Sequence, residues 1–352
     1  MARVSFLRPA VLAGIVGASV ALAPGLAAGA TTPVAAQAGG FNEPLAVGFN
    51  SFYPRHLVVE QGSSVKFAVL GFHTVTFPKK GTQPVAFVVP GSALNPVTND
   101  PAGQPYWWGG ATPALGINPL AAAPSGGTKV TGAKTVSSGF LGGRNPSFTV
   151  SFPKLGTFQV RCLVHARMRG QVTVVPEGSA AADSAAEVAS KSARDQAADL
   201  AAAKATAKAA KKRTATQAVV IGPGNARQEA FAFFPKKSTV PTGGTLTFRM
   251  AGANEVHTVS FGPSAFLDKV GKRTFEGQGL ALDPEGAYAS DPPTAVPVLT
   301  PVLHGNGFLN SGILTEPGGP GTHSFTVTFS TPGVYTYRCM IHSDMRGQVT
   351  VG

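Results

Sequence analysis

The chain ends in YTYRCMIHSDMRGQVTVG (335–352), and half a chain earlier it reads FQVRCLVHARMRGQVTVV (158–175). Each copy spaces a cysteine, a histidine and a methionine at intervals of three: Cys162, His165 and Met168, then Cys339, His342 and Met345. Cys162 and Cys339 are the protein's 2 cysteines. Before each cysteine the residues alternate. Tyr335, Tyr337 and Cys339 share one face while Thr336 and Arg338 take the other, and Phe158, Val160 and Cys162 repeat the pattern. Period-two alternation predicts a half-buried strand, so each cysteine arrives on the core side at a strand end.

The repeat reaches well beyond this loop. Phe52-Tyr53-Pro54-Arg55 answers Phe233-Phe234-Pro235-Lys236, and GSSVKFAVLGFHTVTFP (62–78) answers GGTLTFRMAGANEVHTVSFGP (243–263). Ser138-Gly139-Phe140-Leu141 matches Ser311-Gly312-Ile313-Leu314, and SFTVSF (147–152) matches SFTVTF (324–329). Val65, Phe67 and Val69 alternate with Lys66 and Ala68, and Phe148, Val150 and Phe152 behave like Phe325, Val327 and Phe329. Two copies of such a unit mean two domains rather than a solenoid. Short strands separated by Gly/Pro turns predict an all-β protein of two antiparallel sandwiches or barrels. The sequence contains 43 Gly and 29 Pro with 22 Phe among its aromatics, which agrees with turn-rich β structure.

Four stretches fall outside the repeat. Residues 1–38 have the form of an export signal: Arg3 and Arg8, an apolar run, then small-x-small cleavage options at Ala28-Gly29-Ala30 and Ala36-Gln37-Ala38. No other run is long enough to cross a bilayer, so the mature chain is expected outside the cytoplasm, in the periplasm, at the cell surface or secreted. Insertions at 81–137 and 264–310 are too long for ordinary loops and predict a function or a small structure of their own. The first carries Tyr106-Trp107-Trp108, which reads as packing over the sandwich, with a docking surface as the alternative. The connector 177–217 is rich in Ala and Lys, with acids early (Glu177, Asp183, Glu187) and bases late (Lys204, Lys208, Lys211, Lys212, Arg213). That order suits a helix macrodipole, and Glu187 and Lys191 form an i,i+4 pair. It reads as a partly helical, semi-rigid spacer; because it lacks an apolar stripe, a disordered tether is the alternative. The domains are therefore expected at 39–176 and 218–352.

A fourth donor for each loop should come from an earlier strand. Of the 7 histidines only His73 and His257 occupy equivalent places, in HTVTF and HTVSF. Each half then offers one complete set: His73, Cys162, His165 and Met168, or His257, Cys339, His342 and Met345. Thiolate, imidazole and thioether are soft ligands suited to copper, and two histidines with one cysteine and a weak axial methionine is the set of blue-copper electron-transfer sites. A Cys162–Cys339 disulfide is the rival, since exported proteins often carry one. It would not require the matching histidine and methionine beside each cysteine.

On these residues each half resembles the cupredoxin (blue, type 1 copper) family, with a Cys-x2-His-x2-Met loop like that of amicyanin. The resemblance covers most of both halves apart from leader, connector and insertions. It implies two tandem Greek-key β-sandwiches, each holding one copper, two in total. His73, Cys162 and His165 would be in-plane ligands and Met168 axial, with His257, Cys339, His342 and Met345 repeating this. Two departures stand out. Thr74 and Thr258 occupy a place where the family often has Asn bracing the ligand loops, and the interval from first His to Cys is long.

Function follows from closed sites. With four protein ligands no position is left for a substrate, so no catalytic residue is expected. A trinuclear copper cluster would need many more histidines, and only His56, His304 and His323 are unassigned, enough at most for one further site between subunits. The expected function is a secreted two-copper carrier of single electrons between redox partners. The alternatives are copper capture and delivery without a dedicated redox partner, or a surface interaction protein using the sandwiches as scaffolds. The formal net charge of +12 favours an acidic redox partner or an anionic cell surface. No basic stripe interleaved with aromatics points to nucleic acid. Arg161, Arg167 and Arg169 ring the first loop, so its rim is expected to bind an acidic partner more salt-sensitively than the second.

Overall fold

Alternation in the sequence becomes inside and outside in the fold: Val65, Phe67 and Val69 are buried along Ser64–Leu70 while Lys66 and Ala68 are exposed. A computed structural model describes residues 32–90, 115–141, 145–212, 218–275, 282–291, 296–299, 305–319 and 321–352. In the first half, Val47–Tyr53, Val34–Asn42, Ser64–Leu70 and Ser147–Ser151 lie side by side in one sheet. The facing sheet runs His56–Glu60, Arg169–Val175, Gly156–Arg161, Thr76–Phe77 and Val136–Ser137. Phe52, Phe67, Phe77 and Phe152 fill the space between them, with Cys162 and Met168 at its edge. The second half repeats the plan. Its sheets are Phe233–Phe234, Ala218–Ile221, Thr245–Met250, Ser324–Phe329 and Val298–Leu299, and Lys237–Val240, Arg346–Val351, Gly333–Arg338, Ser260–Phe261 and Leu309–Asn310. The chain is thus all-β, two sandwiches with a helical connector.

Several expectations change. Val34–Asn42 takes in residues 34–38, which the sequence reading placed in the leader; Ala36 and Ala38 are core residues there. Residues 1–31, with the apolar run and the first cleavage option, lie outside the described residues, as do Tyr106-Trp107-Trp108 and His304. Among the described residues no helix is long and apolar enough to cross a membrane.

The halves are not beads on a spacer. Pro33–Gly352 forms one compact unit, and the hairpin of Gly224–Asn225 and Gln228–Ala230 leaves the second half to extend the first-half sheet. Gln228 pairs with Phe49, Glu229 with Gly48 and Ala230 with Val47. The connector forms the helix Ala185–Lys211, which packs on Val34–Asn42, Val47–Tyr53 and Gln228–Ala230. Its start is fixed by a capping box: Ser184 accepts from the Glu187 backbone N–H, and the Glu187 carboxylate accepts from the Ser184 N–H. Glu187 is therefore turned back on the cap, and Lys191 meets Asp183 rather than realising the expected i,i+4 pair.

Asp199, fully buried on this helix, replaces the missing apolar stripe with polar anchoring. It accepts hydrogen bonds from Ser51 Oγ and Tyr53 Oη, each at 2.9 Å, and pairs with Arg55 at 2.6 Å and Arg227 at 2.9 Å. Removing one partner of a buried ionic network costs roughly 3–5 kcal/mol, least where the orphaned charges reach water as these arginines do. Asp199→Ala is accordingly expected to lose about 3 kcal/mol, read as a lowered denaturant midpoint.

The second insertion is a small structure. The helix Ser264–Phe275 places Leu267 and Val270 against Phe308 and Met340. It also reaches the last outward position of Gly333–Arg338: Val334 and Thr336 stay exposed, but Arg338 is buried and pairs with Asp268 at 2.6 Å, where alternation had turned it to solvent. In the first insertion, Val88–Pro90 pairs with Leu115–Ile117.

Candidate metal centres

Each cysteine leaves its strand at the rim of a sandwich, and its loop closes on itself. The Cys162 N–H donates to the Met168 carbonyl and the Met168 N–H to the His165 carbonyl, at 3.2 and 2.9 Å. Cys339, Met345 and His342 repeat these bonds at 3.0 and 2.9 Å. A three-residue step therefore becomes one tight turn that points cysteine and histidine at the same spot.

The upstream histidine meets them there. The nitrogen and sulfur atoms of His73, Cys162 and His165 lie within 4.8 Å of one another, and so do those of His257, Cys339 and His342. Cys162 Sγ is 3.9 Å from His73 Nδ1 and 3.5 Å from His165 Nδ1. Cys339 Sγ is 3.8 Å from His257 Nδ1 and 3.7 Å from His342 Nδ1. Both thiols are free and buried, each with its own pair of imidazoles. Met168 and Met345 are buried in the two cores beside them. His56 bonds Thr173 and His323 bonds Thr315, away from both clusters.

Threonine does the bracing. The Thr74 N–H points at Cys162 Sγ at 3.4 Å while its hydroxyl accepts the Leu163 N–H at 2.8 Å. Thr258 makes the same contacts to Cys339 and Met340, at 3.4 and 2.9 Å. Ser138 and Ser311 then hold the next backbone N–H, of Val75 and Val259.

The imidazoles turn Nδ1 to the sulfur, which leaves Nε2 for outer partners. His257 Nε2 lies 3.1 Å from Glu229 Oε1, and His165 Nε2 lies 3.2 Å from Glu255 Oε1. A carboxylate on the far nitrogen fixes the ring and its tautomer and makes the near nitrogen a better donor to a metal. Glycines make room for the upstream rings. At Gly39 (φ +77°) a Cβ would stand 2.1 Å from His73 Nε2, and at Gly222 (φ +55°) 2.5 Å from His257 Nε2. Sequence reasoning found neither the glutamates nor the glycines. Glu255 had a visible signal: five positions separate Gly252 from His257, but two separate Gly71 from His73. The extra residues include Asn254 and Glu255, and both reach the first half; Asn254 Oδ1 accepts the Arg167 N–H at 3.0 Å. The edge of His165 is thereby covered by the second half, while the side chains of Arg167 and Arg169 stay exposed.

Charge in these clusters is shared between thiolate and imidazolium. Burial pushes the Cys162 thiol up, but the charge and hydrogen bonds of His165 and His73 outweigh it and hold it well below its ordinary value. Cys339 is held down in the same way by His257 and His342. Burial pushes His257 down, but its bonds to Cys339 and Glu229 carry it up to about 10. In the metal-free chain, the raised His257 contributes stability that is complete below pH 6.5 and lost as pH rises through about 10. The depressed Cys339 contributes stability that is present above pH 9.0 and lost on acidification. Together they predict a stability plateau around neutrality with a fall on either side. A metal must displace the imidazolium proton, so binding at the second site is expected to release acid and to tighten as pH rises towards 10. Calorimetry in buffers of different ionisation enthalpy reads this directly.

Two groups of two nitrogens and a sulfur, buried except for the half-buried His342, could each hold a metal ion. No family model matches this chain, and no curated protein matches it in sequence. Among solved structures it is similar to an oxidized amicyanin variant, at 17% identity over 41% of this chain and 89% of that one, with a TM-score of 0.22. A purple cupredoxin from Nitrosopumilus maritimus shares 17% identity over 39% of this chain and 100% of that one, with a TM-score of 0.22. Reduced auracyanin from the photosynthetic bacterium Roseiflexus castenholzii shares 20% identity over 40% and 99%, with a TM-score of 0.26.

Proposed function

We propose that this chain is an extracytoplasmic electron carrier with two type 1 copper centres, one held by His73, Cys162, His165 and Met168 and the other by His257, Cys339, His342 and Met345. The observation that carries the reading is the convergence of two Nδ1 atoms and one Sγ in each half, with a methionine in the same closed loop. Copper bound there would exchange a single electron, and the chain's own residues do the rest. Thr74 and Thr258 direct a backbone N–H at each sulfur, which stabilises its negative charge. Burial keeps water from the donors, and the braced loops hold one geometry through a change of metal charge. With all four donors supplied by the protein, no place remains for a substrate, and the chain is a carrier rather than an enzyme.

The net charge of +12 supports an acidic redox partner or an anionic cell surface. Export would leave the mature chain beginning after Ala30, because cleavage after Ala38 would remove core residues Ala36 and Ala38 from the strand Val34–Asn42. N-terminal sequencing of the exported protein checks this. Carrier and delivery protein separate in one comparison on the copper-loaded chain. A carrier gives a reversible one-electron wave and keeps its metal against a chelator; rapid surrender of the metal with no reversible wave would make it a delivery protein.

A further inference from the structure

One acidic side chain serves both centres. Glu255 belongs to the second half, yet its Oε1 lies 3.2 Å from His165 Nε2 in the first half and accepts Asn50 Nδ2–H at 3.0 Å. Its Oε2 faces His342 Nε2 at 3.7 Å, an electrostatic contact rather than a hydrogen bond. The position is built rather than incidental. Glu229 Oε2 accepts the backbone N–H groups of Ala253, Asn254 and Glu255, and the Glu255 residue is only 8% exposed. Since each imidazole gives Nδ1 to its own sulfur and Nε2 to this carboxylate, one continuous line of groups joins the cysteines: Cys162, His165, Glu255, His342, Cys339. Its gaps are 3.5, 3.2, 3.7 and 3.7 Å.

We propose that Glu255 joins the two sites into a coupled pair: one carboxylate steadies a ligand histidine from each half and forms the path by which an electron passes between them inside the molecule. This rests on the two-copper reading. The traffic is one electron, lost by the reduced centre and gained by the oxidised one, with no bond made or broken and no proton released. A mere lock between the halves would act differently, and Asn254 provides the comparison. It also ties the halves, through the Arg167 N–H, and is itself held by the Ala226 carbonyl of its own half, but it touches no ligand histidine.

The coupling is tested with Ag(I), a soft cation that does not change oxidation state, titrated into the full metal-free chain. Glu255→Gln and Asn254→Ala are each combined with Cys162→Ser or Cys339→Ser, so that one site is read at a time. Losing an outer partner of a ligand histidine ordinarily costs about 10- to 100-fold in metal affinity. A loss of that order is expected at both sites in Glu255→Gln and at neither in Asn254→Ala. Glu255→Asp, which keeps the charge but withdraws it, should weaken both sites by less. A loss confined to one site, or an equal loss in Asn254→Ala, overturns the coupling. The path is read in the copper-loaded chain by photoreduction. The wild type should show a first-order phase independent of chain concentration, slowed at least tenfold by Glu255→Ala. No such phase, or one that Glu255→Ala leaves unchanged, overturns the path. Failure of the copper reading itself would appear separately, as a wild type that stays colourless with Cu(II), while the Ag(I) titrations still report on Glu255.

Discussion

Cys162→Ser is expected to bind one copper instead of two and to lose the first centre's share of the visible absorption, with Cys339→Ser losing the second's and the double variant losing all of it. The reason is electronic rather than architectural. A serine hydroxyl fits the space of the thiol and can take the Thr74 N–H that now points at sulfur. It does not ionise near neutral pH, however, and offers hard oxygen where the soft thiolate stood. The fold should therefore survive while the site fails. Metal analysis beside an optical spectrum reads both effects, and retention of the full colour in both single variants would refute the ligand assignment.

Gly39→Ala should damage the proposed first centre without replacing any of its proposed donors. At φ +77° a side chain is strained by roughly 1–2 kcal/mol. The new methyl carbon would also stand 2.1 Å from His73 Cδ2 and Nε2 and 2.4 Å from the Leu70 carbonyl oxygen. The backbone cannot yield as a flexible side-chain end can, so the His73 ring must move off its place beside Cys162. Expected are a stability loss of at least ~2 kcal/mol and a first site that no longer gives its colour, with the second intact. Gly222→Ala is the mirror experiment, striking His257 Nε2 at 2.5 Å and Glu229 Oε1 at 2.6 Å. Full colour from both sites in either variant would show that these glycines do not set the ring positions.

What could be read from the sequence was what repeats. The strand alternation around Cys162 and Cys339 and the paired HTV segments at His73 and His257 each occur twice, and the copies check each other. The unrepeated features escaped. Glu229 and Glu255 bond to histidines far away in sequence, and the three-residue difference before His257 was the one visible sign that something had been added. The connector misled for a related reason. Periodicity looks for apolar stripes, but this helix is anchored by Asp199 to Ser51, Tyr53, Arg55 and Arg227, partners that no local pattern announces. Arg338 faced the wrong way on paper because alternation could not know that Asp268 of Ser264–Phe275 would meet it.

The threonines show a different limit. Thr74 and Thr258 stood out as departures from the pattern of the family the halves resemble, which often has Asn bracing the ligand loops there. Hydroxyl and backbone N–H together supply that bracing, in both halves and at nearly equal distances. A residue that looks like a loss in one-letter code braces the loop here through its hydroxyl and its backbone N–H.

Titration of the metal-free full-length chain with Cu(II), followed by visible absorption, tests the central claim most directly. If each half holds copper through two imidazoles, a thiolate and a thioether, as proposed, an intense thiolate-to-copper band grows in proportion to added metal and stops at two equivalents per chain. A chain that stays colourless, or whose band stops at one equivalent with both cysteines reduced, would contradict it.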